Sequence, residues 1–355
     1  MRILVLIAAL AVALAAAGAA QGGSPRVGVF YYPWYSTVQH DGAVTHWDQN
    51  GHVPPEGIGA GFYPARGVYS SADKAVIAAQ MAEIDSAGAG IVISSWWGRG
   101  SLEDLRLPAI VTAAQARGLA VAVQIEPYPG RSAETVAADV AALRPLGISD
   151  FYVYRAEDTP AAEWAAVVPG LGAARLIAHT MLVGWAASAR FAGIYTYDVL
   201  IHDGTKFARL CAQAHALGLR CEPSVGPGFD AVAATGEPRV KDRRNGRTYD
   251  HMWRLAIASG ADVITVTSYN EWHEGSQIEP AARARRAGNR TYQDYEGAWG
   301  LSGAAAATAY LARTRYWADR FDTAARARSA AAYARILATW PEPISRGGKR
   351  TSRTR

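Results

Sequence analysis

Ala120-Val-Ala-Val-Gln-Ile-Glu126, Ala133-Glu-Thr-Val-Ala-Ala-Asp-Val-Ala-Ala-Leu143 and Asp150-Phe-Tyr-Val-Tyr154 follow one another in close succession. The first and last are short and apolar, as strands buried on both faces must be. The middle one is Ala-rich with amphipathic, helical spacing, and Gly147 follows it where a helix would stop. Read outward from this unit, the alternation recurs. Candidate strands lie at 27–31, 90–96, 120–126, 150–154, 175–179, 193–197, 220–224 and 262–268. Helical stretches lie at 74–87, 107–116, 133–143 and 206–216, and Gly88, Gly118, Gly218 and Gly260 also flank helix ends. Strand–helix alternation eight times over predicts an α/β fold, a (β/α)8 TIM barrel forming a single domain over residues 26–340. The alternative is an open doubly wound sheet, but no Gly-rich dinucleotide fingerprint follows the first strand.

The bulk properties agree with one large domain: 355 residues, half of them apolar, with 11 Trp and 17 Tyr. Flat aromatic faces fill cores and also suit sugar rings. The net charge of +5 is concentrated in the tail, where Arg346, Lys349, Arg350, Arg353 and Arg355 stand without an acid; removing them leaves zero. The balanced body argues against a nucleic-acid surface. The tail over 341–355 reads as a disordered basic segment. At the other end, Arg2, an apolar run from Ile3 to Ala16 and small residues up to Ala20 read as a signal peptide over 1–20. That run is short for a spanning helix, so the expectation is cleavage, no membrane span thereafter, and a secreted or periplasmic protein. A monomer is expected. Cys211 and Cys221 fit neither a zinc cluster nor a redox pair; a disulfide and two small buried thiols are both open readings.

Two long loops are expected at the barrel mouth, 33–69 and 228–249, and 302–340 reads as one or two closing helices. In such barrels the reacting groups project from the C-terminal strand ends. Here those ends carry Tyr31-Tyr-Pro-Trp-Tyr35, Ser94-Ser-Trp-Trp-Gly98, Glu126-Pro-Tyr128, Arg155, His179, Tyr195-Thr-Tyr-Asp198, Pro223-Ser-Val-Gly-Pro-Gly228 and Asn270-Glu-Trp-His-Glu274. Aromatic platforms with a few polar groups make a carbohydrate cleft.

Glu271 and Glu274 are the sharpest signal. If a helix begins there, residues three apart share a face with Cβ atoms about 5–6 Å apart. Retaining glycosidases hold two carboxyls roughly 5–5.5 Å apart, one of them kept protonated by burial or by its neighbour. The alternative is a capping box, Ser268-Tyr-Asn-Glu271, in which Glu271 only satisfies a backbone N–H. Single Trp and Tyr residues pack cores more often than they bind sugars, and His46 and His273 taken singly read as hydrogen-bonded structural histidines. Glu126 after an apolar strand is harder to dismiss, because burying an unpaired carboxylate is costly.

Phe30-Tyr-Tyr-Pro-Trp-Tyr35, His46-Trp47, Tyr69-Ser-Ser-Ala-Asp73, Ser95-Trp-Trp-Gly98, Ile125-Glu-Pro-Tyr128, Tyr195-Thr-Tyr197, Ser224-Val-Gly-Pro-Gly228 and Ser268-Tyr-Asn-Glu-Trp-His-Glu-Gly-Ser-Gln-Ile-Glu279 together resemble glycoside hydrolase family 99, the endo-α-mannosidases and endo-α-1,2-mannanases. The motifs run in family order over about residues 27–281. The resemblance implies a (β/α)8 barrel, retention of anomeric configuration, an α-mannoside oligosaccharide or polysaccharide as partner, and no metal or other cofactor. It implies that Glu271 is a base on the sugar 2-hydroxyl and Glu274 the acid on the leaving oxygen, with a 1,2-anhydro sugar between the two steps. It further implies substrate-binding roles for Tyr35, His46, Trp97, Glu126, Tyr195, Tyr197, Asn270 and His273, while Glu279 orders the following loop. The chain departs from the family in a short 150–192 segment, in Tyr154-Arg-Ala156 where Tyr-Asp-Ser is usual, and in Gln80-Met81 where His-Met is usual. These changes bear on distal sugar sites more than on the chemistry. Competing readings are a carbohydrate-binding protein without catalysis and a polysaccharide-assembly protein on the same barrel.

Overall fold

The computed structural model describes residues 24–339; the apolar segment 1–20 and the basic tail 341–355 lie outside the described residues. Eight strand–helix units are present. The strands are Ser24–Tyr31, Ala89–Trp96, Ala120–Ile125, Asp150–Val153, Arg175–His179, Gly193–Tyr195, the divided seventh strand Arg220–Glu222 and Ser224–Val225, and Ile264–Val266. Their principal helices are Lys74–Ser86, Leu102–Gln115, Ala133–Leu143, Ala161–Val167, Val183–Ser188, Phe207–Ala216, Arg247–Ala258 and Ala309–Thr339.

All strand pairs in this sheet are parallel, and each strand lies beside its sequence neighbour from the first to the seventh. The eighth strand pairs with the first, and the sheet closes through the seventh. Glu222 is in register with Tyr195 of the sixth strand and Ser224 with Thr265 of the eighth. Pro223, which has no N–H to donate, separates the two pieces and lets the chain turn from one neighbour to the other. The closed α/β barrel predicted from the alternation is therefore present.

The first strand shows how the layers are built. Successive side chains point to opposite faces. Phe30 meets Tyr152, Tyr195 and Tyr197 at 5.9, 5.7 and 5.0 Å between ring centroids, filling the barrel beneath its mouth. Tyr31 points outward, and its hydroxyl donates to Oε1 of Gln80 on the first helix at 2.6 Å. Gly28 is inward, where a Cβ would come within 2.9 Å of Ile93.

Several boundaries differ from the sequence reading. The second helix begins at Leu102, not 107, because Ser101 caps the Asp104 N–H at 3.1 Å and the first turn carries Glu103 and Asp104; Pro108 lies inside the helix. The 228–249 loop contains an antiparallel pair, Phe229–Asp230 with Val240–Lys241, and ends where Arg247 enters a helix. Cys211 and Cys221 form a disulfide joining the sixth helix to the seventh strand. Ala304–Ala307 and Ala309–Thr339 are the closing helices. The longer one is held by Asp250, which accepts from Arg313 at 2.6 Å and from the Trp317 indole at 2.8 Å. Among the described residues no helix is long and apolar enough to cross a membrane.

Candidate active site

The Asn270–Glu274 segment follows the eighth strand. It does not begin an α-helix: Glu271 is non-helical, one 3-10 turn spans Trp272–Glu274, and Gly275 ends it with φ 59°. A Cβ on Gly275 would also stand 3.0 Å from the Asp230 carbonyl. Half of the capping box is real, since the Glu271 N–H donates to Ser268 Oγ at 2.8 Å. The Glu271 carboxylate does not reciprocate; it accepts instead from the Tyr197 hydroxyl, which in turn is hydrogen-bonded to the Tyr32 hydroxyl.

An irregular buried segment must find partners for its backbone outside secondary structure. Tyr35 supplies two: its hydroxyl donates to the Asn270 carbonyl at 2.9 Å and accepts from the Trp272 N–H at 3.2 Å. Asn270 ties the turn to the first strand end, accepting from the Tyr32 N–H at 2.7 Å and donating to the Tyr32 carbonyl at 3.0 Å. Both are fully buried, so they hold the backbone on either side of Glu271. His273 donates from Nε2 to the His46 carbonyl, and burial depresses its pKa to about 3. His46 stacks on Trp34 at 4.5 Å and lies 5.5 Å from the His273 ring. Burial likewise lowers its pKa, to about 4, so both imidazoles are neutral at physiological pH.

Glu279 lies fully buried behind this turn. Its carboxylate accepts from Arg66 at 2.8 Å, Gln80 at 2.9 Å, Tyr69 at 2.8 Å and the Trp272 indole at 2.8 Å. Four donors on one carboxylate make it the anchor of the loop, as the sequence reading expected. Gln80, one of the departures from the family pattern, belongs to this buried cluster.

The remaining predicted residues converge on the same mouth. Glu126 is buried and accepts at Oε1 from Ser95 at 2.8 Å and Gln124 at 2.7 Å; burial raises its pKa to about 7. Trp97 is 38% exposed at the end of the second strand, an available flat face at the rim. Tyr197 packs edge-on against Tyr154 at 5.5 Å. Tyr195 sits deeper, wholly buried against Tyr152 at 5.2 Å, with a hydroxyl that has no partner among the described residues. Beside it a cavity of about 430 Å³ is lined by Arg155, Glu157, His179 and Thr180, on the shortened 150–192 side.

Three groups missing from the sequence-based site list matter. Tyr32 completes the hydroxyl chain to Glu271, while Asp198 and Tyr154 face the carboxylate cluster. Their position at or just beyond strand ends was the available signal. Burial raises the Glu271 pKa, the charges of Glu126 and Asp198 add to it, and the Tyr197 and Tyr32 hydroxyls oppose it. Glu274, partly buried at the mouth, is driven up by burial and then by the charges of Glu271 and Asp198, and among the described residues no group donates a hydrogen bond to it. The two carboxyls on this turn are therefore held unequally: a tyrosine hydroxyl favours the anion of Glu271, while the neighbouring charges of Glu271 and Asp198 disfavour that of Glu274.

The sequence profile of glycosyl hydrolase family 99 matches residues 24–323. A glycoprotein endo-α-1,2-mannosidase-like protein of Danio rerio is 30% identical, over 82% of this chain and 77% of its own length. The glycoprotein endo-α-1,2-mannosidase of Rattus norvegicus is 29% identical, over 83% of this chain and 74% of its own. Among solved structures, the family 99 endo-α-mannosidase of Bacteroides thetaiotaomicron superposes with a TM-score of 0.76 at 29% identity, covering 84% of this chain and 98% of that one.

Proposed function

The chain belongs to glycosyl hydrolase family 99 and is a glycoside hydrolase acting on mannosides, and from that premise we propose that it cleaves α-mannosidic bonds with retention, through a 1,2-anhydro sugar. Glu271 takes the proton of the 2-hydroxyl as O2 attacks C1 and forms the C1–O2 bond. The bond from C1 to the leaving oxygen breaks, and that oxygen takes the proton of Glu274. In the second step Glu274, now a carboxylate, accepts a proton from water as the water oxygen bonds to C1. The C1–O2 bond breaks and O2 recovers its proton from Glu271. Two inversions at C1 give net retention, and the 2-hydroxyl must lie trans to the leaving group, as it does in an α-mannoside.

The observation that carries this reading is the unequal environment of the two carboxyls. Tyr197 stabilises the anion of Glu271, whereas among the described residues Glu274 has no donor to stabilise its own. Glu126 and Tyr197 line the sugar that reacts, with Trp97 as a stacking face. Tyr35, Asn270 and His273 hold the turn, and Tyr195 closes the floor. Export from the cytoplasm belongs to the same proposal, supported by the apolar N-terminal run after Arg2 and by the Cys211–Cys221 disulfide.

The test is incubation with α-1,2-linked mannan and with a glucosyl-α-1,3-mannoside, following products by mass and anomeric NMR. An α-configured oligosaccharide is expected, and neither Glu271→Gln nor Glu274→Gln should release it. A β-configured product would refute the retaining mechanism; release by either variant would refute the role given to that residue.

A further inference from the structure

Arg243 lies on the segment leading from the 228–249 hairpin into the seventh helix. Its guanidinium is enclosed by three aromatic rings, with Cζ 4.5 Å from the centroid of Phe62, 4.9 Å from Tyr295 and 4.6 Å from Tyr310. Such faces attract a cation and exclude water from it. Nε and Nη1 are shut off from solvent and have no hydrogen-bond partner, and among the described residues no carboxylate is within ion-pair distance. The nitrogen that does make bonds is Nη2, which donates to the Gly275 carbonyl at 2.9 Å and to the Gln277 carbonyl at 2.7 Å. Shielding two of its nitrogens without a partner is costly, and the third serves two backbone oxygens.

Those oxygens belong to the residues that follow Glu274. Gly275 ends the turn that carries Glu274, and its N–H donates to the Trp272 carbonyl at 3.2 Å. Tyr295 reinforces the same stretch, donating to the Gln277 and Glu279 carbonyls at 3.2 and 3.0 Å. Among the described residues no hydrogen bond aims the Glu274 side chain, so its direction is set by the backbone on which it stands. We infer that Arg243 is a positioning residue for hydrolysis: by fixing the Gly275 and Gln277 carbonyls from inside an aromatic cage, it sets the aim of the Glu274 carboxyl at the leaving oxygen. This rests on the reading of Glu274 as the acid.

Two substrates separate the role from general loss of structure. A natural mannosidic linkage leaves as an alkoxide and needs its proton; a dinitrophenyl α-glycoside of the same glycone leaves without one. Misplacing an acid by about 1 Å costs on the order of 10²-fold, and that loss should fall on the natural linkage alone. Arg243→Lys, which keeps the charge in the cage but ends one atom short of the Nη2 that meets both carbonyls, and Arg243→Ala are compared with wild type, with circular dichroism confirming the fold. The expectation is kcat/KM on the natural linkage down by about 10²-fold, and kcat/KM for dinitrophenol release, which ends at the first step and needs no acid, nearly as good as before. Guanidinium ion added to Arg243→Ala should restore part of kcat/KM on the natural linkage. Equal losses on both substrates would overturn the inference. Glu274→Gln run alongside keeps the two claims apart. If it shows the leaving-group pattern in kcat/KM and Arg243→Lys does not, only the Arg243 inference falls; if Glu274→Gln itself loses kcat/KM equally on both substrates, the acid assignment falls first.

Discussion

The Tyr197 hydroxyl, just beyond the sixth strand, donates to Oε2 of Glu271 on the turn after the eighth. The bond favours the charged form of Glu271, against the burial that disfavours it. In the proposed mechanism the base acts as its anion, and this contact lowers the pH at which Glu271 forms it.

Tyr197→Phe removes that donor. The acidic limb of the kcat/KM profile, which reports ionisation of Glu271, should move to higher pH by roughly one unit, the scale of one charge-assisted hydrogen bond. The alkaline limb, set by Glu274, should move less. A pH–rate profile checks this, and an unmoved acidic limb would separate Tyr197 from the base.

Glu279 receives four donors in a fully buried place, one of them Arg66. Glu279→Gln presents an amide N–H₂ to those donors and leaves Arg66 without its buried charge. Breaking a buried pair from one side costs about 3–5 kcal/mol, measurable by urea unfolding. A loss below about 1 kcal/mol, the scale of an ordinary net hydrogen bond, would mean the cluster is not the anchor of the loop.

Stability should form a dome in pH. Burial raises Glu222 from 4.5 to about 7, so the folded chain holds a proton there that the unfolded chain releases; stability falls as pH rises from about 4.5 through 7. The histidines act in the opposite sense. His46 and His179 fall from 6.5 to about 4 and His273 to about 3, so their contribution is present above pH 6.5 and is lost as pH drops towards 4 and 3. Above pH 6.5 only the carboxyl arm remains of the two. Glu222→Gln should flatten the decline between pH 6.5 and 8 in thermal melts at stepped pH, and an unchanged slope there would contradict the assignment.

The Cys211–Cys221 disulfide closes a short loop, with a sequence separation of 10, between the sixth helix and the seventh strand. Cys211→Ala/Cys221→Ala should lower unfolding stability by about 2–4 kcal/mol. Hydrolysis at temperatures below unfolding should be unaffected, because neither residue touches the mouth. Thiol titration of the denatured native protein should find no free cysteine without reductant, and two reactive thiols would refute the bond.

Much of the barrel was legible because its signals are local. Asp150–Val153 and Arg175–His179 are short apolar runs whose β-branched and aromatic residues announce strands. Ser101 and Asp104 belong to a cap that marks the true start of the second helix, which the sequence reading placed at 107. Glu271 and Glu274 stood out as a pair three residues apart, yet that spacing suggested a helix where the chain makes a single 3-10 turn. The hairpin at Phe229–Asp230 was hidden in a polar loop, since two-residue strands carry no periodicity.

The order of strands and helices was determined by sequence alone, because each element follows from residues adjacent in the chain or repeated at a fixed spacing. Glu271 and Glu274 were singled out by a continuous motif that resembles one family, and their roles belong to the proposed mechanism. What only the tertiary structure decided is which of those groups is braced and which is bare. Tyr197 meets Glu271, Arg243 meets the Gly275 and Gln277 carbonyls, and Arg66, Gln80 and Tyr69 meet Glu279. These partners are far apart in sequence and are joined by strand register, by closure at Pro223 and by loops folded over the mouth. Burial and hydrogen bonding set the protonation of a carboxyl, and both are properties of the closed barrel that no local pattern encodes.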